Sequence, residues 1–392
     1  MHRNVLLLAL CQAMSMTGAT LLIATSALVG FRLAPDRSLA TLPLALQMLG
    51  NMLTTIPASL LMQRIGRRNG FLVGNAVGIG GAALATWAIV TGSFGMFVVA
   101  AAMSGVFSGF SNYYRFAAAD VAPEDFRARA ISWVLAGGVV AALIGPNLAR
   151  WTSSWLAAPF AGSYVALTGI MVLSLLTLTL LDIPRATAEE RRGGRPLTAI
   201  IAQPVFIVAL IGGMFGYGFM SLVMTATPLA MQAHHYVFSD TAFVIQWHSL
   251  GMFAPSFVTG HLIKRFGVLR VMLTGVLLIA ACVLTNLSGT SLVHYSVALA
   301  MLGMGWNFLF IGSTTLLADA YVPAEKAKTQ ALNDFLVLTT VTIAVLSAGS
   351  LQHRLGWRAV NLGVLPLTLI PLVAIAWLMR VRRVVPATAP AG

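Results

Sequence analysis

Charged side chains are scarce in this chain. Asp, Glu, Lys and Arg together make up 9% of its 392 residues, whereas an ordinary soluble domain carries about a quarter. Hydrophobic residues reach 58%, and the mean hydropathy is +0.87. This composition excludes a soluble enzyme and a disordered chain, so it predicts a membrane protein.

Cysteine is equally rare. Only Cys11 and Cys282 are present, and each lies within an apolar run. Two isolated cysteines exclude a disulfide framework and a zinc site of the CxxC kind. We expect both thiols to be packing residues.

Long apolar runs dominate the rest of the sequence, and a membrane-spanning helix needs about 20 such residues. Twelve runs meet this length, approximately 4–29, 39–63, 70–91, 94–117, 129–152, 160–181, 203–231, 238–263, 268–287, 291–316, 330–352 and 360–379. We therefore predict an all-α membrane protein of two six-helix bundles, 1–182 and 203–392, joined by a polar linker over 183–202. The first run is too long for a signal-peptide core, so we interpret it as the first span.

The basic residues predict the orientation of these spans. The chain has 24 Lys and Arg residues against 11 Asp and Glu residues, for a formal net charge of +13. With the N-terminus in the cytoplasm, 18 of the basic residues fall on the cytoplasmic side and five fall outside. This asymmetry follows the positive-inside rule. It predicts that both termini and the linker are cytoplasmic, and it accounts for the charge without a nucleic-acid partner.

The sequence also repeats once, at a spacing of 201 residues. The repeated segment is a turn, after the second and the eighth runs, in which a glycine has basic residues on both sides. Its residues are Arg64, Gly66, Arg67 and Arg68 in the first copy and Lys264, Arg265, Gly267 and Arg270 in the second. Membrane anchoring explains some of these charges, but it does not explain the repeated glycine.

These turns resemble the GxxxDRxGRR loop of the major facilitator superfamily, although Gln63 and Lys264 stand where that family has an acid. The pair Gly145 and Pro146 in the fifth run is similar to that family's glycine-proline motif. The resemblance covers the whole chain. It implies a transporter without cofactor or enzymatic activity, in which two bundles rock about a site at the membrane midplane. The repeated turns are then expected to gate its inner side.

The acidic residues and Arg115 leave a choice open. All eleven acids fall in predicted loops or near span ends, so we expect no buried carboxylate relay. This argues against a proton-coupled sugar symporter or an exporter of cationic drugs.

Arg115, near the inner end of the fourth run, either closes a gate against Asp334 or Asp319 or extends to the lipid headgroups. The sequence slightly favours the second interpretation.

A group of soft side chains lies at mid-depth in the seventh and eighth runs. The pairs share helix faces at a spacing of four residues, and they are Met220 with Met224 and His248 with Met252. Thioethers and a neutral imidazole suit Cu(I) and poorly suit zinc, magnesium or calcium. The alternative is a neutral His248 bonded to a neighbouring carbonyl, with methionines that only pack, as we expect for Met48 and Met52.

The paired motifs MxxxM and HxxxM resemble those of the CcoA-like copper importers. This resemblance implies copper as the transported substrate, carried across a bacterial inner membrane by a protein that we expect to be monomeric and in contact with membrane lipid. At the outer end of the seventh run, Met231, His234 and His235 either capture copper or cap the membrane interface.

Two other functions remain open. One is import of an aromatic organic solute such as riboflavin, a substrate also found in the wider family, with Trp247, Trp306, Phe308 and Tyr113 as stacking walls. The other is multidrug efflux. The sequence leaves the coupling ion and the transport direction open.

Overall fold

The computed structural model describes residues 3–36, 39, 42–183 and 194–384. Most of the predicted linker, residues 184–193, and the outermost residues of both termini lie outside these ranges. Contacts between Cα atoms divide the chain into two units. The first contains the residues up to Gly194 together with Pro323–Phe335, and the second contains Arg195–Val322 and the residues from Leu336 onward.

The described residues of the first unit form seven helices before the linker. They are α1 (Arg3–Leu33), α2 (Leu42–Ile65), α3 (Arg67–Thr91), α4 (Phe94–Ser111), α5 (Tyr114–Val121), α6 (Arg127–Thr152) and α7 (Ala161–Thr179). Here α1 packs along α6, and α4 packs between α2 and α3.

The rest of the chain forms eight further helices in the described ranges. They are α8 (Leu197–Ile201), α9 (Pro204–Ala233), α10 (Phe238–Phe253), α11 (Ser256–Phe266), α12 (Val268–Ser288), α13 (Leu292–Leu317), α14 (Lys326–Leu367) and α15 (Leu369–Val384). In the second unit α13 is central, because α9, α10 and α12 all pack along it.

All twelve predicted runs are helical within the described residues, but the structure departs in three places from one uninterrupted helix for each run. The fourth run is divided at Asn112 and Tyr113 into α4 and α5, and the eighth is divided at Ala254 and Pro255 into α10 and α11. The eleventh run and the first part of the twelfth lie in the long helix α14, which bends at Gly356, where φ is 78°, and the rest of the twelfth run lies in α15. Ten helical stretches of the described chain are long and apolar enough to cross a membrane. The number is ten rather than twelve because the two halves of the eighth run are each too short and because the eleventh and twelfth runs form one stretch.

Three glycines of the predicted sequence motifs have clear structural reasons. Gly66 has φ 89° and ψ 154°, and Gly267 has φ 88° and ψ 149°, so the two turns share one conformation that is open to glycine and strained for other residues. Gly145 lies instead at a close approach of α6 to α1, where an added methyl group would lie 3.0 Å from the Thr17 carbonyl oxygen. The helix α6 continues through Pro146.

A buried amide holds the break between α10 and α11 against α13. Asn307 donates hydrogen bonds to the Met252 carbonyl oxygen and to Ser256 Oγ, each at 2.6 Å. Its own Oδ1 accepts a hydrogen bond from Thr259 at 2.6 Å. Pro255 cannot donate a backbone hydrogen bond, so the helical hydrogen-bond pattern is interrupted here, although Ala254 and Pro255 keep right-handed helical dihedrals. Asn307 supplies a donor to the Met252 carbonyl oxygen beside this interruption.

We expect Asn307→Asp to destabilise the protein. The aspartate keeps the size of the side chain but removes both donated hydrogen bonds, and each buried group left without its partner costs about 1–3 kcal/mol. Thermal unfolding of the purified protein in detergent should show a clearly lower midpoint. The exposed Asn147→Asp, in α6, is the matched control and should unfold like the parent. Equal midpoints for the two variants would contradict the role assigned to Asn307.

Candidate functional site

An aromatic cluster in the second unit joins three helices. Trp306 of α13 stacks on Phe310, with ring centroids 5.0 Å apart and 14° between the planes. Tyr217 of α9 meets both rings edge-on at 5.4 Å, and Phe253 of α10 meets Trp306 edge-on at 5.8 Å. We call these four residues the Trp306 cluster.

Small residues on α9 allow the cluster to form. A methyl group added at Gly216 would lie 3.0 Å from Leu309 of α13, and one added at Gly212 would collide with Ser313. Glycine at both positions therefore lets the two helix backbones approach closely. This approach brings the neighbouring Tyr217 against Trp306.

The cluster also contains a polar group for which the described residues offer no hydrogen-bond partner. Trp306 is 2% exposed, and its indole Nε1–H has no hydrogen-bond partner among the described residues. A buried donor without an acceptor costs about 1–3 kcal/mol. Apolar rings beside a few convergent polar groups are typical of small-molecule sites.

The sequence identified only part of this cluster. Trp247 is 48% exposed and pairs with Phe243 on its own helix, so it is not a member of the Trp306 cluster. Tyr113 belongs to the first unit, where its hydroxyl donates to the Thr55 carbonyl oxygen at 2.8 Å. Phe308 is half-buried on α13. The missed members are Tyr217, Phe253 and Phe310, of which Phe310 was detectable as the i+4 neighbour of Trp306.

The predicted metal ligands lie on α9 and α10. Met220, His248 and Met252 are buried, and Met224 is half-buried. However, α9 and α10 make little direct contact, and each packs mainly along α13. No group of three or more His, Cys, Asp or Glu residues in the described ranges is arranged to hold a metal ion.

His248 makes the hydrogen bond that its packing interpretation predicts. Its Nδ1 lies 2.9 Å from the Leu299 carbonyl oxygen of α13. A carbonyl oxygen only accepts hydrogen bonds, so Nδ1 carries a proton. A second proton on the buried Nε2 would find no acceptor among the described residues, which favours the neutral ring. The other nitrogen, Nε2, is buried and has no hydrogen-bond partner in the described part of the chain.

The three predicted copper-capture residues have different environments. Met231 is fully buried, so its side chain is not presented at the surface. His234 is exposed and its Nδ1 lies 2.9 Å from the Tyr295 hydroxyl. His235 is exposed in a left-handed backbone conformation, with φ 64°.

The first unit contains a buried ion pair that the sequence did not favour. Arg115 Nη2 lies 2.7 Å from both carboxylate oxygens of Asp334, and the Asn333 amide donates to Asp334 at 2.9 Å. The side chains of the pair are 8% and 3% exposed. The interpretation that Arg115 extends to the headgroups is therefore wrong.

Two of the acids that the sequence places in loops or near span ends are nevertheless buried. Asp334 and Glu325 are 2% and 1% exposed. Their sequence neighbourhood looks like a span end, because nothing local reveals that Pro323–Phe335 belongs to the first unit.

Side-chain contacts at the break between α4 and α5 hold the backbone beside Arg115 in place. Asn112 donates to Asn51 Oδ1 at 2.8 Å, while Tyr113 donates to Thr55 on the same helix, α2. Tyr114 packs edge-on against Phe71 of α3, 4.7 Å away. Consecutive side chains therefore anchor the start of α5 to two neighbouring helices.

The first repeated turn is bound tightly within its unit. Arg67 pairs with Asp120 at 2.7 Å and donates to Gln330 at 2.8 Å. Lys326 also contacts Asp120, at 3.4 Å. Arg68 donates to the Thr179 carbonyl oxygen at the end of α7, at 2.6 Å. The Arg68 guanidinium thus lies at the C-terminal end of α7, where the helix dipole favours a positive charge.

Comparisons with known proteins agree with this architecture. Residues 8–246 and 209–392 match the Major Facilitator Superfamily. The chain is 41% identical over 379 residues to the riboflavin transporter RfnT of Brucella anthropi, with 95% of each protein covered.

Two solved structures are similar in fold. The human organic anion transporter MFSD10 gives a TM-score of 0.77 at 15% identity, with 95% of this chain and 99% of that chain covered. The transporter FucP in the outward conformation gives 0.73 at 16% identity, with 96% and 97% covered. Because the match spans almost its whole length, the chain belongs to the Major Facilitator Superfamily, has its two-domain fold, and is a membrane transporter rather than an enzyme.

Proposed function

We propose that this protein transports riboflavin, or a closely related planar aromatic solute, by alternating access. The observation that carries the proposal is the 41% identity to a riboflavin transporter over nearly the whole of both chains. The expected setting is a bacterial inner membrane, with both termini in the cytoplasm and the domains divided at 183–202.

The Trp306 cluster supports this proposal chemically. Flat aromatic ligands stack on aromatic side chains, and the four rings come from three helices of one unit. A flavin ring system also carries carbonyl oxygens that can accept a hydrogen bond. The indole N–H of Trp306, which has no partner among the described residues, can donate to one of them. We therefore assign Trp306 as a substrate ligand that both stacks and donates a hydrogen bond.

Copper import is the second candidate. The observation in its favour is the buried Nε2 of His248, a lone pair without a partner in the described residues, with Met252 one turn away on the same helix. RfnT, MFSD10 and FucP, to which the chain is similar, are not described as copper importers. The organic solute is therefore the better supported substrate.

Transport assays with two substrates separate these candidates. In cells that lack their own riboflavin uptake, we expect the protein to accumulate labelled riboflavin, without accumulating labelled copper above an empty-vector control. The double variant Met224→Leu and Met252→Leu keeps side-chain volume but removes both sulfurs, and it should import riboflavin normally. Copper accumulation that this double variant abolishes, with no riboflavin uptake by the parent, would instead establish copper as the substrate.

Substitution of Trp306 tests the proposed ligand. Trp306→Phe retains an aromatic ring but lacks the N–H, and we expect the KM for riboflavin to rise about tenfold, equivalent to about 1.4 kcal/mol. Trp306→Leu should raise it further because stacking is also lost. Trp247→Phe removes an exposed indole from α10 and is the matched control, with an unchanged KM. Initial uptake rates at equal surface expression give these values, and a parent-like KM for Trp306→Phe would reject the hydrogen bond.

We further propose that Arg115, Asp334 and the first repeated turn stabilise one state of the transport cycle. A buried charge that loses its partner is strongly destabilising, so Arg115→Asp and Asp334→Arg should each reduce riboflavin transport at least tenfold. The combined reversal restores opposite charges and should recover part of the rate, while riboflavin affinity remains close to that of the parent. Single variants that transport normally would show that the pair has no role in cycling.

A further inference from the structure

The second repeated turn has the same backbone as the first but different side-chain partners. Val268 and Leu269 occupy the positions that correspond to Arg67 and Arg68. Its basic residues Arg265 and Arg270 are both exposed. Neither of these two guanidinium groups has a hydrogen bond or an ion pair within the described ranges.

The loops after the fourth and the tenth runs also match, with Asp120 and Pro123 in the first and Asp319 and Pro323 in the second, and the acid of the second loop has a different partner. Asp319 contacts Arg382 of α15 at 3.5 Å, whereas Asp120 binds Arg67 of the first turn. The repeat has therefore kept the glycine conformation of the turn and lost the arginine-to-acid pairing. Arg265 and Arg270 are therefore two exposed cations at this turn.

Exposed apolar side chains lie on the same short helix. In α11, Phe257, Val258 and Phe266 are 45%, 53% and 46% exposed. The guanidinium of Arg265 lies over the Phe266 ring, 5.2 Å from its centroid. An aromatic ring beside an arginine is typical of the membrane interface, where the ring contacts lipid and the cation faces the headgroups.

We propose that the α11–α12 turn binds the phosphate headgroup of an anionic phospholipid through Arg265 and Arg270. A guanidinium binds phosphate oxygens through paired hydrogen bonds, and basic segments next to membrane helices attract anionic lipids. The exposed Phe266 and Val258 favour a lipid over a free phosphate, because a soluble phosphate gains nothing from apolar neighbours. This inference does not depend on which solute is transported.

Lipid binding by the purified, delipidated full chain tests the inference. The probes are phosphatidylglycerol and phosphatidylcholine with identical acyl chains, and native mass spectrometry measures their retention. We expect Arg265→Gln with Arg270→Gln to weaken phosphatidylglycerol binding at least tenfold without changing phosphatidylcholine retention. Both residues are exposed, so thermal unfolding should remain parent-like.

A charge-matched control makes the test specific. Arg354→Gln with Arg358→Gln also removes two exposed arginines, from α14, and should retain the parent's affinity for phosphatidylglycerol. If both double variants lost phosphatidylglycerol binding equally, net charge alone would explain the loss and the proposed site would be overturned. Parent-like binding by the Arg265 and Arg270 variant would also overturn it. Full competition by glycerol phosphate would overturn the assignment to a membrane lipid.

Discussion

The need to satisfy polar groups away from water determines where this protein departs from regular helix. A backbone N–H or C=O left without a partner in a membrane interior costs several kcal/mol, so spanning segments remain helical wherever nothing else bonds them. At the first interruption the side chains of Asn112 and Tyr113 donate hydrogen bonds to α2. At the second, Asn307 of α13 donates to the Met252 carbonyl oxygen beside Pro255. Both interruptions lie beside the residues to which we assign a function, since Arg115 follows the first and Phe253 precedes the second.

The internal repeat shows that backbone geometry and side-chain chemistry have diverged separately. Gly66 and Gly267 agree to within a few degrees in φ and ψ. Around the first, Arg67 and Arg68 bind groups of the protein, whereas the cations around the second are exposed. A shared turn is therefore compatible with a protein contact in one unit and a lipid contact in the other.

The sequence predicted the features that depend on local pattern. Hydropathy located all twelve helical runs, and the repeat spacing identified both turn glycines. It failed where the answer depends on packing between distant segments. The burial of Asp334 follows from the grouping of Pro323–Phe335 with the first unit, and the Trp306 cluster follows from close approach of α9 to α13. The copper prediction assumed that consecutive spans lie side by side, but α9 and α10 meet mainly through α13.

The energetics of burial favour the organic solute over the ion. A cation at His248 would bring its charge among neutral side chains, because the imidazole is uncharged and the thioethers carry no compensating negative charge. Its nearest helix, α13, offers at Leu299 only a carbonyl that already accepts the Nδ1 proton. A neutral planar ring at the Trp306 cluster brings no such charge, gains stacking area and supplies an acceptor for a donor that is otherwise unpaired. The proposed flavin-like ligand at the Trp306 cluster therefore avoids the cost of charge burial that the ion would incur at His248.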